Sequence, residues 1–153
     1  MTALRAARQD DLNAVIHWIG SPQQCLLWAG PRASYPLDRT QLAEQIEWDH
    51  AYAFCLVDTH ELLGFGQVVP KPQSRLHLAR LIVRPSHRGQ GYGFELANAL
   101  LRRARARQPK SISLNVFREN EAAIALYRRL GFTEAEPAAH VARPGTLHMR
   151  YTR

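Results

Sequence analysis

The sequence predicts a single domain of mixed α and β elements, and three observations carry that prediction. Its 153 residues fall in the commonest size range for one compact domain and can bury a core without disulfides or metals. Hydrophobic residues make up 46%, the proportion of a globular chain rather than a disordered one. Their spacing switches repeatedly between the period of a helix and that of a strand. No repeat, low-complexity tract or Pro/Ser-rich linker interrupts the chain, so residues 1–153 read as one domain.

Taken in order, Leu4 to Ala6 starts a short strand. Asp10 or Asp11 then caps a helix whose Leu12, Val15, Ile16 and Ile19 recur at helical spacing, and Gly20-Ser21-Pro22 stops it. Residues 21–38 hold Trp28, Gly30, Pro31, Tyr35 and Pro36 in quick succession and show no clear period. A second helix is expected from about Arg39 to Glu47, with Leu42, Ala43 and Ile46 on one face. The apolar run Ala51 to Val57, the polar Asp58-Thr59-His60-Glu61 and the run Leu62 to Val69 read as a β-hairpin.

Pro70 to Ser74 breaks the chain, and Leu76 to Val83 forms another strand. Leu96, Ala97, Leu100, Leu101 and Ala104 recur with helical period, while Arg102, Arg103, Arg105 and Arg107 crowd the last turns, where cations complement the helix dipole. Ser111 to Phe117 is a strand. Glu121 to Leu130 is a short helix closed by Gly131 as a left-handed cap, with Phe132 the apolar contact beyond it. Thr146 to Thr152 is a terminal strand.

Composition bounds the partners. Lys and Arg total 20 against 13 Asp and Glu, a net charge of +7 that favours nucleic acid, a membrane surface or a polyphosphate cofactor. Lys71 and Lys110 are the only lysines, and arginine's fork of donors suits phosphate. The basic residues form no stripe interleaved with aromatics and no nucleic-acid motif appears, which argues against nucleic acid. Cys25 and Cys55 lack metal or redox spacing, so ordinary buried thiols and no metal site are expected. The first residues lack an apolar signal core and no run approaches a membrane span; a cytoplasmic protein without membrane contact is the expectation.

The chemistry concentrates where a strand meets a helix, at Arg84-Pro85-Ser86-His87-Arg88-Gly89-Gln90-Gly91-Tyr92-Gly93. A helix starting there offers backbone N–H groups at its positive end, and glycines let the backbone approach phosphate oxygens. A tightly packing glycine turn would show the same residues. No Lys-Ser or Lys-Thr follows, which excludes a P-loop. The spacing Gly89-x-Gly91-x-Gly93 is not that of a dinucleotide fold.

The segment Arg88-x-x-Gly91-x-Gly93 resembles the pyrophosphate signature of the GNAT (Gcn5-related N-acetyltransferase) superfamily, and Leu81-Ile82-Val83-Arg84-Pro85 resembles its central strand. Downstream, Asn120-Glu121-Ala122-Ala123-Ile124-Ala125-Leu126-Tyr127-Arg128-Arg129-Leu130-Gly131-Phe132 resembles its N-x-x-A-x-x-L-Y-x-x-x-G-F segment. The clear resemblance covers roughly residues 76–132. It implies an α/β (α+β) fold with a central mixed, mostly antiparallel sheet of six to seven strands flanked by about four helices. It also implies splaying of the strands Leu76–Val83 and Ser111–Phe117.

The resemblance implies an acetyl-CoA-dependent N-acetyltransferase acting by direct attack of a primary amine of a small molecule, peptide or protein. The backbone of Leu81, Ile82 and Val83 would pair with the pantetheine arm, while Gly89, Gln90, Gly91, Tyr92, Gly93 and Phe94 would cradle the pyrophosphate. Arg88 would contact phosphate or hold the loop, and Phe94 replaces a frequent basic residue. Asn120 matches a cofactor-contacting asparagine and also suits an N-cap. Tyr127 matches the acid that protonates the leaving thiolate; a phenol of reference pKa about 10 stays protonated at neutrality.

The general base is not assigned. Asn115 stands where some relatives carry glutamate, and His77, Glu61, Glu47 or water are the candidates. Trp18, Trp28, Tyr35 and Trp48 are candidates for an aromatic acceptor wall or for core, with Arg32, Arg39 and His140 near the mouth. Dimers are common in the superfamily. Two other readings stay open: a catalytically silent acyl-CoA-binding module, and an acetyltransferase of a nucleic-acid-linked acceptor.

Overall fold

The computed structural model describes residues 1–137 and 144–152. Along the chain run β1 (Thr2–Ala6), α1 (Leu12–His17), α2 (Pro22–Ala29), α3 (Arg39–Gln45), β2 (Tyr52–Asp58), β3 (Glu61–Lys71) and β4 (Arg75–Val83). They are followed by α4 (Tyr92–Ala106), β5 (Ser111–Phe117), α5 (Glu121–Leu130), β6 (Phe132–Glu134) and β7 (Thr146–Tyr151). The strands form a seven-stranded sheet in the order β1-β2-β3-β4-β5-β7-β6. The β4–β5 pair is parallel, joined by the α4 crossover; the other neighbours are antiparallel. A mixed, mostly antiparallel sheet is the expected one, with α2 added to the four helices anticipated.

Period-2 alternation assigns each strand's side chains to one of two cores. Leu56, Val68, Leu114, Val116, Leu147 and Met149 bury against Leu96, Leu100 and Ala104 of α4 and Leu130 of α5. Cys55 and Phe65 turn the other way, against Leu12, Val15, Cys25, Trp28, Leu42 and Ile46 from the first three helices. Both cysteines are buried free thiols.

Several boundaries differ from the sequence reading for identifiable reasons. The helix expected to open at Asp10 or Asp11 begins as a turn of 3-10 helix over Gln9–Asp11. There the Asp11 carboxylate takes two hydrogen bonds from Arg5 and one from the Arg8 N–H. Helix α1 ends at His17, short of the Gly20-Ser21-Pro22 expected to stop it, and that segment instead starts α2: Ser21 Oγ accepts from the Gln24 N–H at 3.1 Å, and Pro22 occupies the first helical position. Helix α3 stops at Gln45, two residues short of the expected end, because Glu47 adopts φ +59. Helix α5 ends as expected at Gly131, φ +112.

Gly64 and Gly66 on β3 let α4 lie close against the sheet. A Cβ on Gly66 would stand 2.6 Å from Leu100 Cδ1, inside van der Waals contact with a fully buried side chain. Gly66→Ala is therefore expected to destabilise the protein by about 1–3 kcal/mol through overpacking. A lowered urea midpoint at unchanged m-value checks this; an unchanged midpoint would show that α4 shifts freely.

Candidate active site

Strand β4 contains one residue more than the β3 segment it faces. Phe65 pairs with Ile82 but Gln67 pairs with Ala79, and Arg80 takes up the difference at φ +54. Such a bulge bends a strand and increases its twist. The parallel ladder to β5 accordingly runs only from Arg75↔Ser111 to Leu78↔Leu114, although both strands continue. Beyond those four rungs Leu81, Ile82 and Val83 diverge from β5. This is the splay expected between these two strands.

The bulge is held by polar partners. Trp28 Nε1–H donates to the Arg80 carbonyl at 2.9 Å, and the Arg80 guanidinium donates to Gln67 Oε1 and to Glu47 Oε1. Gln67 is fully buried and donates from Nε2 to the Ile46 carbonyl at 2.9 Å. Arg32 also pairs with Glu47 Oε1, at 2.5 Å. Burial pushes the Glu47 carboxyl up, but the charges of Arg80, Arg32 and Lys71 outweigh it and hold the group below its ordinary value.

At one end of the splay lies the glycine loop. Gly89 and Gly91 adopt φ +77 and +89, and a Cβ on either would meet nothing within 4 Å. The loop thus requires glycine for its backbone and leaves open space above it. Gly91 is the N-cap of α4, so the N–H groups of Tyr92, Gly93 and Phe94 belong to the helix's free first turn. Gln90 and Arg88 are exposed. Arg88 Nε donates to the Val83 carbonyl at 3.1 Å, tying the loop to the end of β4. Phe94 lies under the Arg129 guanidinium, 4.5 Å from its ring centre, which brings a cation from α5 to the start of α4.

Helix α5 borders the same end. Leu126 Cδ1 stands 3.5 Å from where Gly93 would carry a Cβ. Asn120 is the N-cap, its Oδ1 accepting from the Ala123 N–H at 3.3 Å. Tyr127 packs edge-on to Phe132, ring centres 6.1 Å apart, and burial pushes its phenol up to about 12.

A groove of about 550 Å³ opens on the opposite face. Its walls are α2, the turn Gly30–Arg32, the ends of β3 and β4, and the outward residues Ser111, Ser113, Asn115, Phe117, Thr146, His148 and Arg150 of β5 and β7. His77 faces Ser113 across β4–β5, its Nδ1 2.9 Å from Ser113 Oγ. The rings of His77 and His148 stack at 6.3 Å. His148 Nδ1 lies 2.7 Å from Asn115 Oδ1; with the carbonyl oxygen there, Nδ1 carries the proton and Nε2 keeps its lone pair. Burial, then the charges of Arg150 and Arg75, holds His148 below its ordinary 6.5.

The sequence reading missed His148. Its signal was the alternation of Thr146-Leu147-His148-Met149-Arg150, which puts His148 and Arg150 on one face. Among the aromatic candidates, Trp28 lines the groove. Trp18 is buried with Arg84 stacked on it at 5.8 Å, Trp48 borders a separate surface hollow, and Tyr35 is exposed. Arg32 and Glu47 line the groove. Arg39 instead bonds Asn13 and the Gln9 carbonyl, and Glu61 pairs with His87. His140 lies outside the described residues. Among the described residues, no helix is long and apolar enough to cross a membrane, and no cluster of His, Cys, Asp and Glu could hold a metal.

The model of the acetyltransferase (GNAT) family matches residues 12–132. Mycothiol acetyltransferase of Corynebacterium glutamicum (strain R) is 28% identical over 121 residues, 78% of this chain and 41% of that protein. The chain thus spans less than half the length of that curated relative. The crystal structure of the ribosomal-protein-S18-alanine N-acetyltransferase from Escherichia coli superposes with a TM-score of 0.73 at 25% identity, covering 99% of this chain and 93% of that one. Spermidine N-acetyltransferase from Vibrio cholerae, solved with CoA and spermine, gives 0.74 at 21% identity over 97% and 92%; at that identity the likeness is one of fold.

The Glu47 pairing is open to a direct check. Glu47→Gln removes the charge opposite Arg80, whose side chain is 7% exposed, and is expected to cost about 1–3 kcal/mol at pH 7. Because the folded carboxyl titrates below its ordinary 4.5, the unfolded state binds the proton first. The wild-type advantage is therefore full above that value and fades as pH falls through the folded pKa. Urea titrations of both proteins at pH 7 and pH 3 measure the gap, which should narrow in acid.

Proposed function

The chain belongs to the acetyltransferase (GNAT) family, and from that premise we propose that it is an acetyl-CoA-dependent N-acetyltransferase of a primary amine. One observation supports this above the rest: the splay of β4 from β5 has a glycine-led helix start at one end and a polar groove on the opposite face. The open space over Gly89 and Gly91 and the free first turn of α4 suit a pyrophosphate. Gln90, Tyr92, Gly93 and Phe94 complete that cradle, with Arg88 holding the loop and Asn120 at its border. The diverging backbone of Leu81, Ile82 and Val83 offers the pantetheine arm a strand to pair with.

Acetyl-CoA, when bound, supplies a thioester whose acyl carbon bonds to the amine nitrogen as the carbon–sulfur bond breaks. A nitrogen that enters as an alkylammonium sheds two protons, one of them released to solvent and the other balancing the proton that sulfur gains, so the residues must take one proton and offer another. In this proposal His148 takes the first at Nε2, oriented by Asn115, and Tyr127 offers the second. A backbone N–H among Leu81–Val83 stabilises charge building on the thioester oxygen.

The magnitudes define Tyr127's part. A phenol at about 12 facing a thiolate whose reference pKa is about 8.5 gives up its proton against roughly 5 kcal/mol. Burial raises a thiol's pKa too, so the two shifts partly cancel. Tyr127 therefore acts first as a hydrogen-bond donor to sulfur and completes the transfer only as charge develops there.

Two measurements test the assignment. Tyr127→Phe is expected to lower kcat for thiol release by about 100-fold while leaving the KM for acetyl-CoA near its original value; undiminished kcat removes Tyr127 from the reaction. For His148, kcat/KM should show an acid limb with a pKa below 6.5, because the neutral ring is the active form. The ring is faced by His77 and Arg75 from β4, by Asn115 from β5 and by Arg150 on its own strand. His148→Gln should erase that acid limb, and a limb that survives refutes the role.

A further inference from the structure

The groove carries an imbalance of charge that narrows the choice of acceptor; the inference rests on the transferase reading above. Its cationic side chains are Arg32, Lys71, Arg75, Arg80 and Arg150, and its one carboxylate among the described residues is Glu47. That carboxylate is already engaged by Arg80 and Arg32. A second ammonium on an acceptor would find no unengaged carboxylate among the described residues of these walls. Polyamines and oligocationic amines are therefore poorly matched to the site.

Three of these cations fall in register. Lys71 on β3 faces Arg75 on β4, and Arg75 faces Ser111 on β5. Arg150 on β7 faces Ser113, the next groove-facing residue of β5. Three strands thus bring Lys71, Arg75 and Arg150 to one end of the groove, beside His77 and His148. Arg75 and Arg150 both act electrostatically on His148, which places them within reach of one another's field.

The arginines elsewhere on the molecule have a different setting. Arg103, Arg105 and Arg107 near the end of α4 stack on Phe54, Tyr151 and Tyr52. The basic composition of the chain explains those. It does not explain why the walls of a small-molecule-sized groove hold five cations against one carboxylate.

We propose that the acceptor is a small primary amine bearing an anionic group, a carboxylate or a phosphate, held by Lys71, Arg75 and Arg150 while its nitrogen reaches His148. The acetyl transfer keeps the balance given above, and the anion takes no part in bond making.

Matched amines test this on the intact protein. Thiol release from acetyl-CoA is followed with β-alanine against β-alaninamide, O-phosphoethanolamine against ethanolamine, and spermidine as the cationic control. Calorimetry of acetyl-CoA binding is run in parallel. The expected result is a kcat/KM at least tenfold higher for the anionic member of one pair than for its neutral partner or spermidine. The pair showing the larger ratio tells carboxylate from phosphate.

Arg75→Gln and Arg150→Gln should each raise KM for the anionic amine about tenfold more than for the neutral one. Arg75→Lys, which retains the charge, should keep most of the preference. Thermal melts establish that the variants fold. A faster neutral or cationic amine, or variants that slow both members of a pair alike, overturns the proposal. Bound acetyl-CoA with no thiol release from any of these amines overturns the acceptor class alone. Failure to bind acetyl-CoA fells the transferase reading and this inference with it.

Discussion

Arg80 stands at φ +54, a left-handed conformation that costs a non-glycine residue about 1–2 kcal/mol. Its surroundings offset that cost. The Trp28 indole donates to its carbonyl, and its guanidinium is divided between Gln67 and Glu47. Glu47 is itself left-handed, φ +59, at the point where α3 gives way to the approach to β2. Two strained residues from separate segments are therefore held by one hydrogen-bonded group. If Arg80 relaxed into ordinary extended geometry, β4 would lose its extra residue opposite Gly66 and could continue alongside β5. The divergence, and the separation of a helix start from a groove, would close together.

The helices divide the two faces of the sheet unequally. Helices α4 and α5 cover the inward side of β5 and β7, where Leu114, Val116, Leu147 and Met149 are buried. On the other face the first three helices pack over Cys55 and Phe65 of β2 and β3. Past Trp28 the covering ends, and Ser113, Asn115, His148 and Arg150 line open space. A face without helical cover can keep polar side chains hydrated, which is why β5 and β7 alternate polar with apolar residues rather than reading as continuous apolar runs.

Legibility in the sequence followed the range of the interactions. The glycine loop, the Asn120 cap and the Gly131 terminus are set by backbone conformation within a few residues, and each is visible as a local pattern. Helix α2 was hidden although its start is local: Ser21 and Pro22 read as the stop of the helix before it, and Leu26 and Leu27 are exposed instead of marking an apolar face. The Arg80 bulge had no sequence signature, since an arginine inside an apolar strand gives no sign of positive φ. The groove was beyond reach for a different reason. Lys71, Arg75, Asn115 and His148 come from four strands, and only the pairing register makes them neighbours. Asn115 was noted as standing where some relatives carry glutamate; its partner His148, 33 positions away, was what the register supplied.

The five cations and one engaged carboxylate that line the groove among the described residues also act on the smallest cation in solution. A positive field lowers the activity of hydrogen ions inside the groove below that of the surrounding water, and each tenfold depletion corresponds to about 1.4 kcal/mol. His148 already registers this, held down by Arg150 and Arg75 in addition to burial. Under the transferase reading proposed above, an alkylammonium entering the groove would meet the same depletion and give up its proton more readily than it does in bulk. The walls thus behave as though buffered to a higher pH than the solvent outside, and on that reading part of the work of unmasking a nucleophile would pass from any single base to the electrostatic climate of the cleft.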